Sequence, residues 1–291
     1  MAFPTVGATT ESSGGSGANA TQHTITLPSH SAGDLLFVAF SNDGAATVSV
    51  GSGASFNVLT NTATAANRLT TWYFLATSSS HTLRLDTSAS EGSAWSAYRI
   101  NSGTHNCAVN VPQQGTAATG ASVSPNPPTL TASWGSADNL WIVAYGWDGN
   151  SAWTSHPASY TGSPLDDRWA HANGCGIGMA TQNITTATQD PGVATIASDD
   201  WVAQTIVIRP YQTTTHALAS TAGTAQVDGV STGTALRPLA STAGAAQVDA
   251  TATGTRNAPL ASTAGASQVD AAGVGTRVTQ LSNQGALEIA P

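Results

Sequence analysis

Aromatic rings beside groups that bond hydroxyls are how a protein surface holds a sugar, and one stretch of this chain collects both. The run WDGNSAWTSHPASYTGSPLDDRWAH, Trp147 to His171, carries Trp147, Trp153, Tyr160 and Trp169 together with Asp167, Arg168 and His171. Rings stack on pyranose faces while Arg and Asp bond the hydroxyls. Trp147, Trp153, Tyr160, Arg168 and Trp169 are therefore the candidate residues for a glycan or a protein partner. The competing reading is that these rings fill one end of a core or a subunit interface. Hydrolysis of a glycan would need two carboxylates at a set separation, and Asp148 and Asp167 are the pair to nominate. His156 and His171 make only a weak metal pair, and no metal site is expected.

Motifs for other chemistry are missing from the sequence. There is no HExxH helix and no CxxC. The GGSG at Gly14 to Gly17 sits in a low-complexity arm with no lysine after it, which reads as a flexible arm. Asp166 and Asp167, and likewise Asp199 and Asp200, are adjacent, so on an extended strand each pair would point to opposite faces. Turn residues or caps are the expectation, with a calcium site as the alternative. All eight basic residues are arginine, which excludes a phosphate-binding Walker loop, Schiff-base chemistry and a lysine general base. The net charge of −8 argues against nucleic acid or an anionic membrane as a partner. No cofactor and no enzymatic activity are expected. Cys107 and Cys175 are too few for a disulfide scaffold; they read as two buried thiols or, alternatively, as one staple.

The elements that would position these residues are strands. Charged residues make up 8 % of the chain, lysine is absent, and Thr and Gly abound, so helices have little to form from. The segment AGDLLFVAFSNDG (Ala32 to Gly44) returns as ADNLWIVAYGWDG (Ala137 to Gly149). Around it, TITLP (Thr24 to Pro28) is matched by PTLTA (Pro128 to Ala132), ASFN by ASYT, and LAT (Leu75 to Thr77) by MAT (Met179 to Thr181). Each half ends on a Trp-led strand, WSAYRI or WVAQTIVIRP. The first 211 residues thus read as an internal duplication. LLFVAF and LWIVAY, apolar without alternation, predict central strands buried on both faces. TLRLD and TIVIRP alternate, which predicts strands with two different faces. The fold class expected is all-β: an antiparallel β-sandwich, jelly-roll-like, built from two duplicated halves and followed by a β-rich repeat tail. Each half could be a sandwich lobe of its own, or the halves could be the two sheets of one sandwich, and the single unit is the favoured arrangement. Its divisions would be an N-terminal arm (1–20), a sandwich (21–211, halves about 21–104 and 105–211), three repeats (212–280) and a terminal tail (281–291). The longest apolar run is far short of the ~20 residues of a membrane span, and the start lacks the pattern of a signal peptide.

Beyond Tyr211 a repeat of 21 residues runs through LASTAGTAQVDGVSTGT, LASTAGAAQVDATATGT and LASTAGASQVDAAGVGT. Leu218, Leu239 and Leu260 keep its phase, as do Val227, Val248 and Val269, and these six are the candidate assembly residues. Each copy holds too few large apolar side chains to bury a core of its own, so order is expected to come from pairing with other chains.

The chain resembles a recurrent type of tailed-bacteriophage virion protein. The MAFPTV start, the block HTITLPSHSAGDLLFVAF, the closing WVAQTIVIRP and the repeats of the PLASTAG type carry the resemblance, which spans essentially the whole chain. It implies a β-sandwich displayed on the virion as a fibre, spike or decoration protein of head or tail. Such a protein would be assembled in the host cytoplasm without secretion, self-associate as a homotrimer and dock to other virion proteins. The alternative is a receptor-binding adhesin or carbohydrate-binding module that recognises host surface polysaccharide.

Overall fold

In the computed structural model, residues 2–12, 19–149, 153–162, 167–170 and 174–211 are described, together with the backbone of the tail strands between residues 218 and 289. The chain divides into two units, Met1–Tyr211 and Gln212–Pro291.

The first half of the first unit contains β1 (Val6–Glu11), β2 (Ala20–Ile25), β3 (Leu35–Asp43), β4 (Val48–Gly53), β5 (Asn57–Ala63), β6 (Asn67–Leu75), β7 (Leu83–Glu91) and β8 (Ser93–Ile100). The second contains β9 (Gln113–Gln114), β10 (Ala118–Ser122), β11 (Leu130–Thr131), β12 (Ala137–Asp148), β13 (Trp153–Ser155), β14 (Asp167–Ala170), β15 (Cys175–Thr186), β16 (Thr188–Gln189), β17 (Thr195–Ile196) and β18 (Asp199–Ile208). In the first half a large sheet runs β1-β8-β3-β6-β5 and a small one β2-β7-β4. In the second the large sheet runs β10-β18-β12-β15-β14, with β9 also on β18, and the small layer is split into β11-β16 and β13-β17. The two large sheets have the same strand order, so the duplication read in the sequence is a duplication of topology. All pairings within this unit are antiparallel.

Three apolar clusters show how the sheets stack. Leu36, Val38 and Phe40 of β3 pack with Ile25, Leu83 and Leu85 between the large and small sheets of the first half. Trp141, Val143 and Tyr145 of β12 pack with Leu130 and Ile196 in the second. The alternate residues, Leu35, Phe37 and Ala39 against Leu140, Ile142 and Ala144, meet in a third cluster between the two large sheets. Both central strands are thus buried on both faces, which is why neither alternates. Leu83 and Leu85 share one core while Ile206 and Ile208 share another, as their period of two requires.

Two expectations are corrected. The halves are not the two sheets of one jelly-roll-like sandwich: each is a sandwich of its own, and the large sheets join back to back. Nor is 1–20 an arm, because Val6–Glu11 is the edge strand of the first large sheet, pairing with β8 from Val6↔Ile100 to Glu11↔Ser96. Residues 13–18, and with them the GGSG segment, lie outside the described residues.

The second unit is built of parallel strands. One ladder joins β19 (Leu218–Ser220), β22 (Leu239–Ser241), β25 (Leu260–Ser262) and β28 (Leu281–Asn283); a second joins β20 (Ala225–Thr232), β23 (Ala246–Thr253), β26 (Ser267–Ala272) and β29 (Leu287–Ile289). A third joins β21 (Ala235–Leu236), β24 (Arg256–Asn257) and β27 (Arg277–Val278). Leu218 pairs with Leu239 and Leu239 with Leu260, and Val227 with Val248 and Val248 with Val269. The backbone partners of each repeat are therefore the neighbouring repeats of the same chain, as in a solenoid, and not strands of other chains as the sequence suggested.

Candidate functional site

The aromatic segment does not gather into one surface. Trp147 is fully buried and Tyr160 nearly so, both in the core beneath the second large sheet. Trp147 lies opposite Gly176 on β15 and Tyr145 opposite Gly178. A Cβ on Gly176 would stand 2.1 Å from the Trp147 ring, so the ring occupies the space that glycine leaves. Neither Trp147 nor Tyr160 offers a face to a sugar, which corrects their place among the glycan candidates. Tyr145 stacks on Trp147 with ring centroids 6.0 Å apart, and its hydroxyl lies 2.7 Å from His156 Nδ1. The other three candidates are described by backbone only. Trp153 pairs with Ile196 in the small layer, whereas Arg168 and Trp169 pair with Gly178 and Ile177 on an edge strand of the large sheet. Their side chains, and His171 and Asp166 altogether, lie outside the described residues.

The carboxylates nominated for glycan hydrolysis, Asp148 and Asp167, flank one strand. Asp148 faces Cys175 on β15, and Asp167 faces Met179 from the other side of that strand. Two strand spacings of ~4.8 Å and four residues of ~3.3 Å put their Cα atoms about 16 Å apart. The side chain of Asp167 lies outside the described residues. At the start of β18, Asp199 Oδ1 accepts the backbone N–H of Asp200, and both residues belong to the strand. Among the described residues no group of three or more His, Cys, Asp or Glu is placed to hold a metal ion.

What the fold does bring together is Asp148 and Asp43, the equivalent residues of the two DG turns. The large sheets pack so that β15 lies on β3 and β8 while β6 lies on β12 and β18, each contact the mate of another. This is an isologous interface within one chain, with a pseudo-twofold axis. Near that axis Ser41 meets its equivalent Gly146, and Asn67 Nδ2 donates to Ser41 Oγ at 2.8 Å. Farther out, Tyr98 Oη donates to Met179 O at 2.9 Å, and Gln204 Nε2 donates to Thr60 Oγ1 at 2.8 Å.

At one end of the axis the two carboxyls crowd the same point. A Cβ placed on Gly174 would lie 3.5 Å from Asp43 Oδ2 and 3.8 Å from Asp148 Oδ1. Burial pushes the Asp43 carboxyl above the usual range, and the charge and hydrogen bond of Asp148 push it the same way. Glu91 stands next in the row and is raised by burial and then by Asp43. Asp43 therefore holds its proton longer than a free aspartate does. The sequence reading missed Asp43; the signal for it was the Asp-Gly at the same place in both duplicated blocks.

Cys107 and Cys175 are free and buried, not stapled. Burial raises both thiols, Cys107 to about 12, and Cys175 donates to Ser41 O at 3.6 Å across the interface.

The chain matches no family model, no curated protein and no solved structure. Among the described residues no helix is long and apolar enough to cross a membrane.

Proposed function

We propose that this chain is a structural component of a bacteriophage particle, displayed on the virion as a fibre, spike or decoration protein of head or tail. It acts by packing, through copies of itself and through other virion proteins. The observation that carries this reading is the 21-residue array. Successive copies pair in register, so backbone hydrogen bonds are met within the chain, yet each copy still brings few large apolar side chains. Ladders satisfy N–H and C=O groups; they do not create a core. The faces of the ladders are completed by packing on other chains, in a closed homotrimer. The lysine-free, low-charge surface suits close contact with like surfaces, and the resemblance to tailed-phage virion proteins points the same way.

The experiment is size-exclusion chromatography with light scattering on the full chain, followed by limited proteolysis. A trimer, or another closed oligomer, whose tail resists cleavage beyond Tyr211 is the expected result. A monomer that loses its tail at Tyr211 to trace protease overturns the proposal.

A further inference from the structure

Two histidines and a hydroxyl at the loops that join β2 to β3 and β6 to β7 form a chain of hydrogen bonds whose proton positions can be worked out. His30 Nδ1 lies 2.7 Å from Pro28 O. A carbonyl only accepts, so Nδ1 carries the hydrogen, and the Nε2 of neutral His30 is a bare lone pair. That lone pair faces His81 Nδ1 at 3.1 Å and also receives the backbone N–H of His81 at 3.3 Å. Because His30 Nε2 accepts, His81 Nδ1 is the donor and His81 Nε2 is in turn a lone pair. Thr77 Oγ1 lies 3.1 Å from it and Ser78 Oγ 3.5 Å. One backbone carbonyl thus fixes the tautomers of both rings, which lie 24° from parallel with centroids 5.3 Å apart.

The surroundings hold this arrangement still and leave one end open. His30 is buried, His81 is half-buried, and Thr77 and Ser78 are exposed. Phe74 meets the His81 ring edge to face at 4.8 Å and is itself stacked on Phe56, giving the base an apolar flank. A hydroxyl on a base whose far nitrogen is held by a third group is the geometry of nucleophilic catalysis.

We propose that Thr77, His81 and His30 form an acyl-transfer centre for small esters, with Thr77 as nucleophile, His81 as base and His30 as the positioning residue. Thr77 Oγ1 bonds to the ester carbonyl carbon as its proton passes to His81 Nε2. The bond from that carbon to the alcohol oxygen breaks, and the departing alcohol takes the proton from His81. Water, losing a proton to the same nitrogen, then attacks the acyl carbon; the bond from that carbon to Thr77 Oγ1 breaks, Oγ1 takes the proton back from His81, and the acid is freed. His30 keeps the lone pair of His81 aimed outward and steadies the transient imidazolium.

A fluorophosphonate probe tests this on the full chain, since Thr77 Oγ1 would displace fluoride and gain phosphorus. One adduct per chain is expected, mapped by peptide mass spectrometry to Thr77 and absent in Thr77→Val. The His81→Ala variant should react at least ~100-fold more slowly, within the usual reach of a general base, and recover when imidazole is added. Imidazole rescue separates a base from a residue that only supports the loop. No adduct, an adduct on Ser78 in place of Thr77, or labelling of His81→Ala at the native rate overturns the proposal. If His81→Ala does not fold, Thr77→Val, which alters one exposed side chain, still decides the matter.

Discussion

Adding one methyl group at Gly146 tests the back-to-back packing of the halves. A Cβ there would stand 2.5 Å from Ser41 Oγ and 3.0 Å from Ser41 Cβ, with Asn67 Oδ1 at 3.3 Å. All of these atoms are buried, so either the sheets part or Ser41 turns away from Asn67. Overpacking of this kind costs about 1–3 kcal/mol. For a unit of this size each kcal/mol moves Tm by roughly 2–4 °C, so Gly146→Ala should lower it by about 2–12 °C. Ser41→Gly loses the bond from Asn67 Nδ2 and places glycine in a strand, together about 1–2 kcal/mol. The double variant S41G/G146A moves the side chain to the other side of the same contact, since the two positions are equivalent. It should cost about what Ser41→Gly costs alone, a coupling of about 1–3 kcal/mol in a double-mutant cycle. Thermal and urea unfolding of the four proteins measure it. Strict additivity, or a harmless Gly146→Ala, would mean that the sheets do not meet there and that the isologous packing is wrong.

Two further outcomes follow from the same joint. Asp43 has its carboxyl raised in the folded state, so the native protein holds that proton longer than the unfolded chain does. Below the ordinary carboxylate range both states are protonated and Asp43→Asn should be neutral. As pH rises through the raised value Asp43 must ionise in the native state, and the variant should gain up to about 1 kcal/mol over the parent near neutrality, discounted for the partial exposure of Asp43. Tm measured for both proteins from pH 3 to 8 checks this; a gap that closes toward neutral pH contradicts it. Cys107 and Cys175 should resist a thiol reagent in the native protein and titrate as two on unfolding, because burial holds both as thiols. No thiol in denaturant would indicate a disulfide between them.

Much of the first unit was legible because burial on two faces writes itself plainly. LLFVAF and LWIVAY had to be central, and TLRLD and TIVIRP had to divide their faces between two environments. The register of the duplication was less legible. LAT at Leu75 to Thr77 was matched with MAT at Met179 to Thr181, but Leu75 faces Leu35 while the partner of Leu140 is Asn183. The equivalents of Leu75 and Met179 are thus Asn183 and Thr71. Asn67 follows Asp43 by 24 residues and Cys175 follows Asp148 by 27, so the second half has three extra residues between these ladder ends. The match to Met179 is off by four residues, an even slip that keeps every side chain on its own face, so neither small-residue matching nor alternation detects it and only the ladder register does. The aromatic segment failed differently. Its rings were countable in sequence, but the glycines that receive them, Gly176 and Gly178, lie on the neighbouring strand, where only cross-strand register reveals them.

The candidate site was hidden for a further reason, which also says what kind of site it is. An isologous contact brings each residue near the axis against its own equivalent, so bulk meets bulk and charge meets like charge. In this chain two of the equivalent pairs near the axis have unlike members. Ser41 meets Gly146, which removes a clash, and Asn67 is matched by Cys175, which keeps one donor to Ser41 Oγ and another to its carbonyl. Asp43 and Asp148 are alike, and they oppose each other at an electrostatic cost that an asparagine on either side would relieve. Packing alone gives no reason for two carboxyls there. Burial and the neighbouring Asp148 raise the Asp43 carboxyl above the ordinary range, so the joint between the halves loses stability as Asp43 ionises.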